Sequence, residues 1–216
     1  MSSYGVQRSL PPAVQNLLIA NAVAFLAMLV LDRATILEYF ALFPAGSPFF
    51  RIWQPLTYMF LHADFSHLFF NMFALWMFGR GLEWEMGTRR FLVYYFVCGI
   101  GAALIQLLMM QIDLAGLPPH SLDYYHYLWT PTLGASGAVF GLLLAFGMLH
   151  PNATIMLLIP PIPMKAKWFV VIYGLLELFL GMSGSMDNVA HFAHLGGMFW
   201  GWLLLMWWHY KARRRF

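Results

Sequence analysis

Six apolar stretches run through this chain, at residues 14–31, 66–78, 91–111, 133–149, 166–182 and 189–208, each bounded by glycine, proline or charge. Continuous stretches of this kind suit helices, which satisfy every backbone group internally; a barrel would show ten-residue alternating segments instead. Composition points the same way, with 61% of residues hydrophobic and 10% charged, against about a quarter charged in a soluble domain. The expectation is an all-α, polytopic membrane protein of six transmembrane helices, forming one domain over residues 1–216. The first stretch lacks a basic segment followed by a small-residue cleavage site, so it reads as a retained span. Cys98 is the single cysteine and excludes an intramolecular disulfide. No feature suggests a nucleic-acid partner.

Basic residues set the orientation. Six crossings put both termini on one side, together with Arg8, Arg80, Arg89, Arg90, Lys165, Lys167, Lys211, Arg213, Arg214 and Arg215, and leave Arg33 and Arg51 opposite. The termini are therefore expected in the cytoplasm. The long connection from residue 32 to 65 lies on the other face and is rich in aromatics, Phe43, Phe49, Trp53 and Tyr58 among them. Such a loop belongs in the membrane interface. Several apolar stretches fall short of the roughly 20 residues that cross about 30 Å of hydrocarbon. Helices that short start below the surface, beneath a water-filled cavity.

Polar residues inside a bilayer are costly and face a bundle interior or a cavity. Here they gather at the non-cytoplasmic ends of three stretches: His62, His67 and Asn71 at the second, Ser136 at the fourth, His191 and His194 at the sixth. Ser136 sits in Gly134-Ala135-Ser136-Gly137, where glycine permits close approach of a substrate backbone. Taken alone, Gly137 with Gly141 and Gly197 with Gly201 form small-xxx-small faces for helix packing. If the two glycine faces pack together, they also draw Ser136 to a histidine, the minimal device for activating a serine. His191 and His194 share one helical face, and either is a candidate base. His194 lies on the glycine face and is preferred, with His191 one turn nearer solvent and better suited to a structural role. Asn71 and His67 are four residues apart, so their donors stand side by side where an oxyanion would develop, although interhelical hydrogen bonding explains them as well. His62 is expected to tie the interfacial loop to the bundle. No His-Glu-x-x-His motif is present, and neither a metal nor another cofactor is expected. Glu177, a lone carboxylate in the fifth stretch, has three readings: part of an ion path, a neutral acid, or the partner of a polar group on a neighbouring helix. A transporter would show paired ionisable residues in repeated halves, and these are not found.

These residues resemble the rhomboid family of intramembrane serine proteases. The resemblance rests on Gly134 to Gly137, on His194 with Gly197 and Gly201, on His67 with Asn71, on Trp53 in the loop, and on Gly79, Glu83 and Gly87 in a Gly-x-x-Glu-x-x-x-Gly pattern. It implies a six-helix bundle around a cavity open away from the cytoplasm, Ser136 as nucleophile and His194 as its base. It also implies an oxyanion site of Asn71, His67 and the Ser136 amide, next to Gly134. Phe140 stands where an aromatic, often tyrosine, stacks on the catalytic histidine, and Gln54 replaces the arginine of the usual Trp-Arg pair. The fifth span and the loop before the sixth are associated with substrate entry. The implied activity is endoproteolysis of transmembrane proteins through an acyl-enzyme, and the expected location is a bacterial inner membrane. A non-catalytic rhomboid-like binder of membrane helices is the alternative.

Overall fold

The computed structural model describes residues 9–156, 162–182 and 188–213, with the side chains of 188–190 left aside. Arg8, Arg214 and Arg215 of the charge pattern, and the loop before the sixth stretch, lie outside them. The architecture is mostly helical. Helix α1 (Pro12–Val30) leads to the short α2 (Arg33–Phe40) and α3 (Gln54–Thr57), then a 3-10 turn over Tyr58–Phe60. Helices α4 (Phe65–Met86) and α5 (Thr88–Gly116) follow, then the short α6 (Leu122–Trp129) and α7 (Ser136–Leu149). Strands β1 (Thr154–Met156) and β2 (Pro163–Lys165) pair antiparallel before α8 (Ala166–Met182) and α9 (Asn188–Arg213). Among the described residues, α1 and α5 are long and apolar enough to cross a membrane by length and composition, and α7 is a shorter apolar helix.

The structure departs from the sequence expectation in several places. The apolar pattern ends the second stretch at residue 78, ahead of Arg80, Glu83 and Glu85, yet α4 continues to Met86. Glu83 accounts for that extension. It is buried, and its carboxylate accepts from the backbone N–H groups of Ala13 (2.9 Å) and Val14 (2.8 Å). These are first-turn donors of α1, which has Pro12 at its start and no side-chain cap of its own. Thr88 donates to the same carboxylate at 2.8 Å, so Glu83 ties α1, α4 and α5 together at one end. Gly87, at φ 78°, takes a conformation that favours glycine and turns the chain from α4 into α5. The fourth stretch begins as helix at Ser136 rather than at residue 133, because Gly134 is at φ 131° and Thr132 pairs with Leu42 in an isolated bridge.

The connection between α1 and α4 is more ordered than an interfacial loop need be. Asp32 caps α2 through the N–H groups of Ala34 and Thr35, and Asp64 caps α4 through that of His67. Hydrogen bonds to Thr35 and to Ser66, respectively, hold both carboxyls below their usual range. Gln54 is fully buried; its amide donates to the carbonyls of Glu38 (3.1 Å) and Phe49 (2.8 Å) and accepts from the Phe43 N–H at 3.3 Å. Trp53 donates its indole N–H to the Tyr39 carbonyl at 2.9 Å. The hairpin β1–β2 and the helix α6 had no counterpart in the hydropathy pattern.

The core lies where α5, α7 and α9 meet, the helices packed most extensively on one another. Small residues set the spacing: a Cβ on Gly197 would lie 1.8 Å from the Gly137 carbonyl oxygen, so α7 and α9 touch backbone to backbone. A Cβ on Gly141 would likewise lie 3.2 Å from the Gly197 carbonyl oxygen, so the two glycine faces meet at Gly197, while Gly201 packs on Tyr94 and Cys98 of α5. Tyr94 donates to the Gly141 carbonyl at 2.8 Å and Tyr58 to that of Gly99 at 2.7 Å, so these buried hydroxyls are satisfied.

Candidate active site

Ser136 is the first residue of α7, and as such its N–H has no intrahelical carbonyl to bond. One helix away, the Gly197–Gly137 contact brings the first turns of α9 alongside. The Ser136 Oγ lies 2.7 Å from the Nε2 of His194. On its other nitrogen, His194 Nδ1 lies 2.9 Å from Glu177 Oε2, and His191 Nδ1 approaches that same oxygen at 2.6 Å. An ionised carboxylate only accepts, so both Nδ1 atoms donate to it, and the His194 Nε2 keeps its lone pair for the serine hydroxyl. Phe140, one turn along α7 from Ser136, stacks on the His194 ring with centroids 4.3 Å apart and planes 7° from parallel.

His67 and Asn71 stand across the opening, at the start of α4. The Ala63 N–H donates to His67 Nδ1 at 3.3 Å, so the neutral ring carries its proton on Nε2. That nitrogen reaches over Gly134, where a Cβ would lie 2.8 Å from it. Asn71 spends one amide hydrogen on the His67 carbonyl at 2.9 Å, and the other remains for a ligand. His67, Asn71, Ser136, Phe140 and His194 all line one cavity of about 540 Å³, which runs on between apolar side chains such as Phe73, Met77 and Tyr173. His191 and Glu177 stand behind His194 rather than on the cavity wall. His62 is fully buried and edge-on to His67, with centroids 5.0 Å apart. Burial, helped by the neighbouring His67, pushes its pKa down to about 4, which keeps it neutral. Its ring packs the connection against the first turn of α4.

Of the readings open for Glu177, the structure shows the partnered one. Sequence reasoning named the carboxylate without finding its partners, yet the signal was there: His191 and His194 share a face, and one carboxylate between them satisfies both. The donor atoms of Glu177, His191 and His194 lie within 4.8 Å of one another, a spacing found in metal sites, but the N···O separations are hydrogen-bond lengths. His191 has Glu177 as its partner, whereas His194 meets both Glu177 and the serine.

A family model for the rhomboid domain matches residues 50–211, which include every residue of this site. The chain belongs to the rhomboid family. It is 33% identical over 153 residues to rhomboid protein 1 of Saccharomyces cerevisiae mitochondria, covering 71% of this chain and 40% of the relative. It is 30% identical over 187 residues to the mitochondrial RHOMBOID-like protein 12 of Arabidopsis thaliana, covering 85% and 54%. Against the candidate rhomboid protease YdcA of Bacillus subtilis it is 31% identical over 166 residues, covering 76% and 71%. The chain thus spans about half or less of the first two relatives. Rhomboids are integral membrane proteins, generally serine proteases, that act on membrane proteins in the bilayer. Mitochondrial and plant proteins stand among these relatives, so they do not support the bacterial membrane expected from the sequence.

Proposed function

We propose that this rhomboid is a serine endopeptidase that cleaves transmembrane proteins within the bilayer through an acyl-enzyme, with Ser136 as nucleophile and His194 as its base. The observation that carries the reading is the 2.7 Å contact between His194 Nε2 and Ser136 Oγ at the wall of the cavity. In this reading Oγ attacks the scissile carbonyl carbon while Nε2 takes the hydroxyl proton. The C–N bond then breaks, and His194 returns that proton to the leaving amine. Water enters, loses a proton to Nε2 and attacks the ester carbon; as the C–O bond breaks, His194 returns that proton to Oγ and frees Ser136. The oxyanion of each tetrahedral intermediate faces His67 Nε2–H, the free Asn71 amide hydrogen and the Ser136 backbone N–H. Removing one such donor typically costs about 10²–10³ in rate.

The fold reading that goes with it is six crossings by α1, α4, α5, α7, α8 and α9, with both termini in the cytoplasm. The 14 residues of α7 rise roughly 21 Å, less than the roughly 30 Å of hydrocarbon. Ser136 therefore sits below the membrane surface, where the cavity admits water to it. A substrate helix has its carbonyls engaged in its own hydrogen bonds, so cleavage falls where helix-weakening residues let it unwind.

The test is a fluorophosphonate probe on detergent-solubilised protein. Wild type is labelled on Ser136, whereas Ser136→Ala and His194→Ala are not. An intact wild-type preparation that takes no label contradicts the reading, and so does a labelled Ser136→Ala, which a non-catalytic binder with an incidental nucleophile would give.

A further inference from the structure

We propose that Glu177 is a positioning residue for His194, with His191 holding the carboxylate in place, so that serine, histidine and glutamate act as a linked set; this rests on the protease reading above. Glu177 is the one carboxylate of α8, where it is only 9% exposed. A carboxylate in such surroundings persists when partnered. Its surroundings bring the partners near. One turn along, a Cβ on Gly181 would lie 3.2–3.5 Å from the Phe192 ring and the His191 Cβ, so the glycine lets α8 lie close to α9. Both imidazoles of that first stretch of α9 aim Nδ1 at the same oxygen, Oε2.

Three consequences follow for His194. The carboxylate fixes the tautomer that leaves Nε2 unprotonated in front of Ser136, as an acid behind a base does in serine hydrolases generally. With Phe140 stacked on one ring face and Glu177 on its edge, the ring is held against rotation. When Nε2 takes the serine proton, the imidazolium forms beside a negative charge already in contact with it. Glu177 does not line the cavity that Ser136 and His194 share, so it touches no substrate and acts through His194 alone. His191 supplies the second hydrogen bond to Oε2, at 2.6 Å, and keeps the carboxylate from swinging away.

The titratable groups around His194 are Glu177 of α8, His191 of its own helix and His67 of α4. The decisive measurement is the rate of fluorophosphonate inactivation against pH for wild type, Glu177→Gln, Glu177→Asp and His191→Leu, each with its thermal midpoint. Glu177→Gln keeps the shape and removes the charge. It is expected to slow inactivation by on the order of tenfold or more. Glu177→Asp, which keeps the charge, recovers part of that rate, and His191→Leu slows inactivation less than Glu177→Gln does. A second readout needs no activity: in a Ser136→Ala, His191→Leu background, a low-field imidazole N–H proton resonance is present and disappears when Glu177→Gln is added. A Glu177→Gln protein with the wild-type inactivation rate overturns the proposal, as does a low-field proton that survives it. If wild type takes no label, the protease reading fails, and the resonance still decides whether Glu177 holds His194. If His191→Leu costs more than Glu177→Gln, the base is His191 and the assignment is overturned.

Discussion

At the scale of single residues, Gly134 shows how little room the site allows. Its φ of 131° is a conformation that favours glycine, and a methyl there would meet the His67 ring at 2.8 Å and the Ser136 hydroxyl at 3.7 Å. Backbone strain alone costs about 1–3 kcal/mol. Gly134→Ala is therefore expected to slow fluorophosphonate labelling by on the order of tenfold or more, by turning His67 aside, with a smaller loss of thermal stability. Labelling at the wild-type rate would show that His67 has no part in the site. Gly134, Ser136 and His194 were legible in the sequence because glycine beside serine, and histidine on a glycine face, each carry a local spacing. Glu177 carries none. A lone carboxylate among apolar residues has no neighbour in sequence to pair with, and its partners come from the next helix. Gln54 is similar: its three hydrogen bonds join residues 38, 43, 49 and 54, and only the folded loop shows why an acceptor is needed there. An arginine at this position has no acceptor for the Phe43 N–H.

At the scale of helices, Glu83 makes α1 part of the bundle. The first-turn N–H groups of Ala13 and Val14 are buried, and the carboxylate of α4 is what satisfies them. Its negative charge also lies at the positive end of the α1 dipole. Glu83→Ala leaves two buried donors unpaired, which costs about 1–3 kcal/mol for each. The expected outcome is a lower thermal midpoint with enhanced hydrogen exchange in the first turn of α1, while Ser136 still takes label in the protein that remains folded. Exchange spread evenly over all helices would argue against a local capping role. Hydropathy placed a helix in each of the six stretches and matched the fifth at both ends, but it stopped the second, third and sixth short because it reads a charge as a boundary. Arg80, Glu83 and Glu85 stopped the second stretch at residue 78, yet Glu83 sits inside the structure with a polar partner. Asp32 and Ser121 did mark the starts of α2 and α6 as N-caps, but helices of one or two turns show no apolar period to support such a reading. The hairpin is three residues on each side, too short for alternation to stand out.

At the scale of the whole molecule, apolar surface dominates the outer faces of the helices. On α8 alone, Trp168, Val171, Leu175 and Phe179 are all exposed, as expected of helices that face lipid. Six crossings predict that residues 9 and 211 face one side and residue 52 the other. In a Cys98→Ser background, Ser9→Cys and Lys211→Cys, both at exposed positions, should react with an impermeant maleimide from one face of a sealed vesicle. Ile52→Cys, at a position 86% exposed, should react from the opposite face. Reaction of positions 9 and 211 from opposite faces would mean an odd number of crossings.

The central claim, that Ser136 and His194 cut peptide bonds inside the membrane, is tested most directly in reconstituted vesicles with a single-span substrate whose apolar segment carries helix-weakening residues. Wild type is predicted to release fragments whose masses place the cut within that segment, and Ser136→Ala and His194→Ala are predicted to release none. Cleavage that persists in folded Ser136→Ala, or its absence with wild-type protein that takes the fluorophosphonate label across a panel of such substrates, would contradict the account.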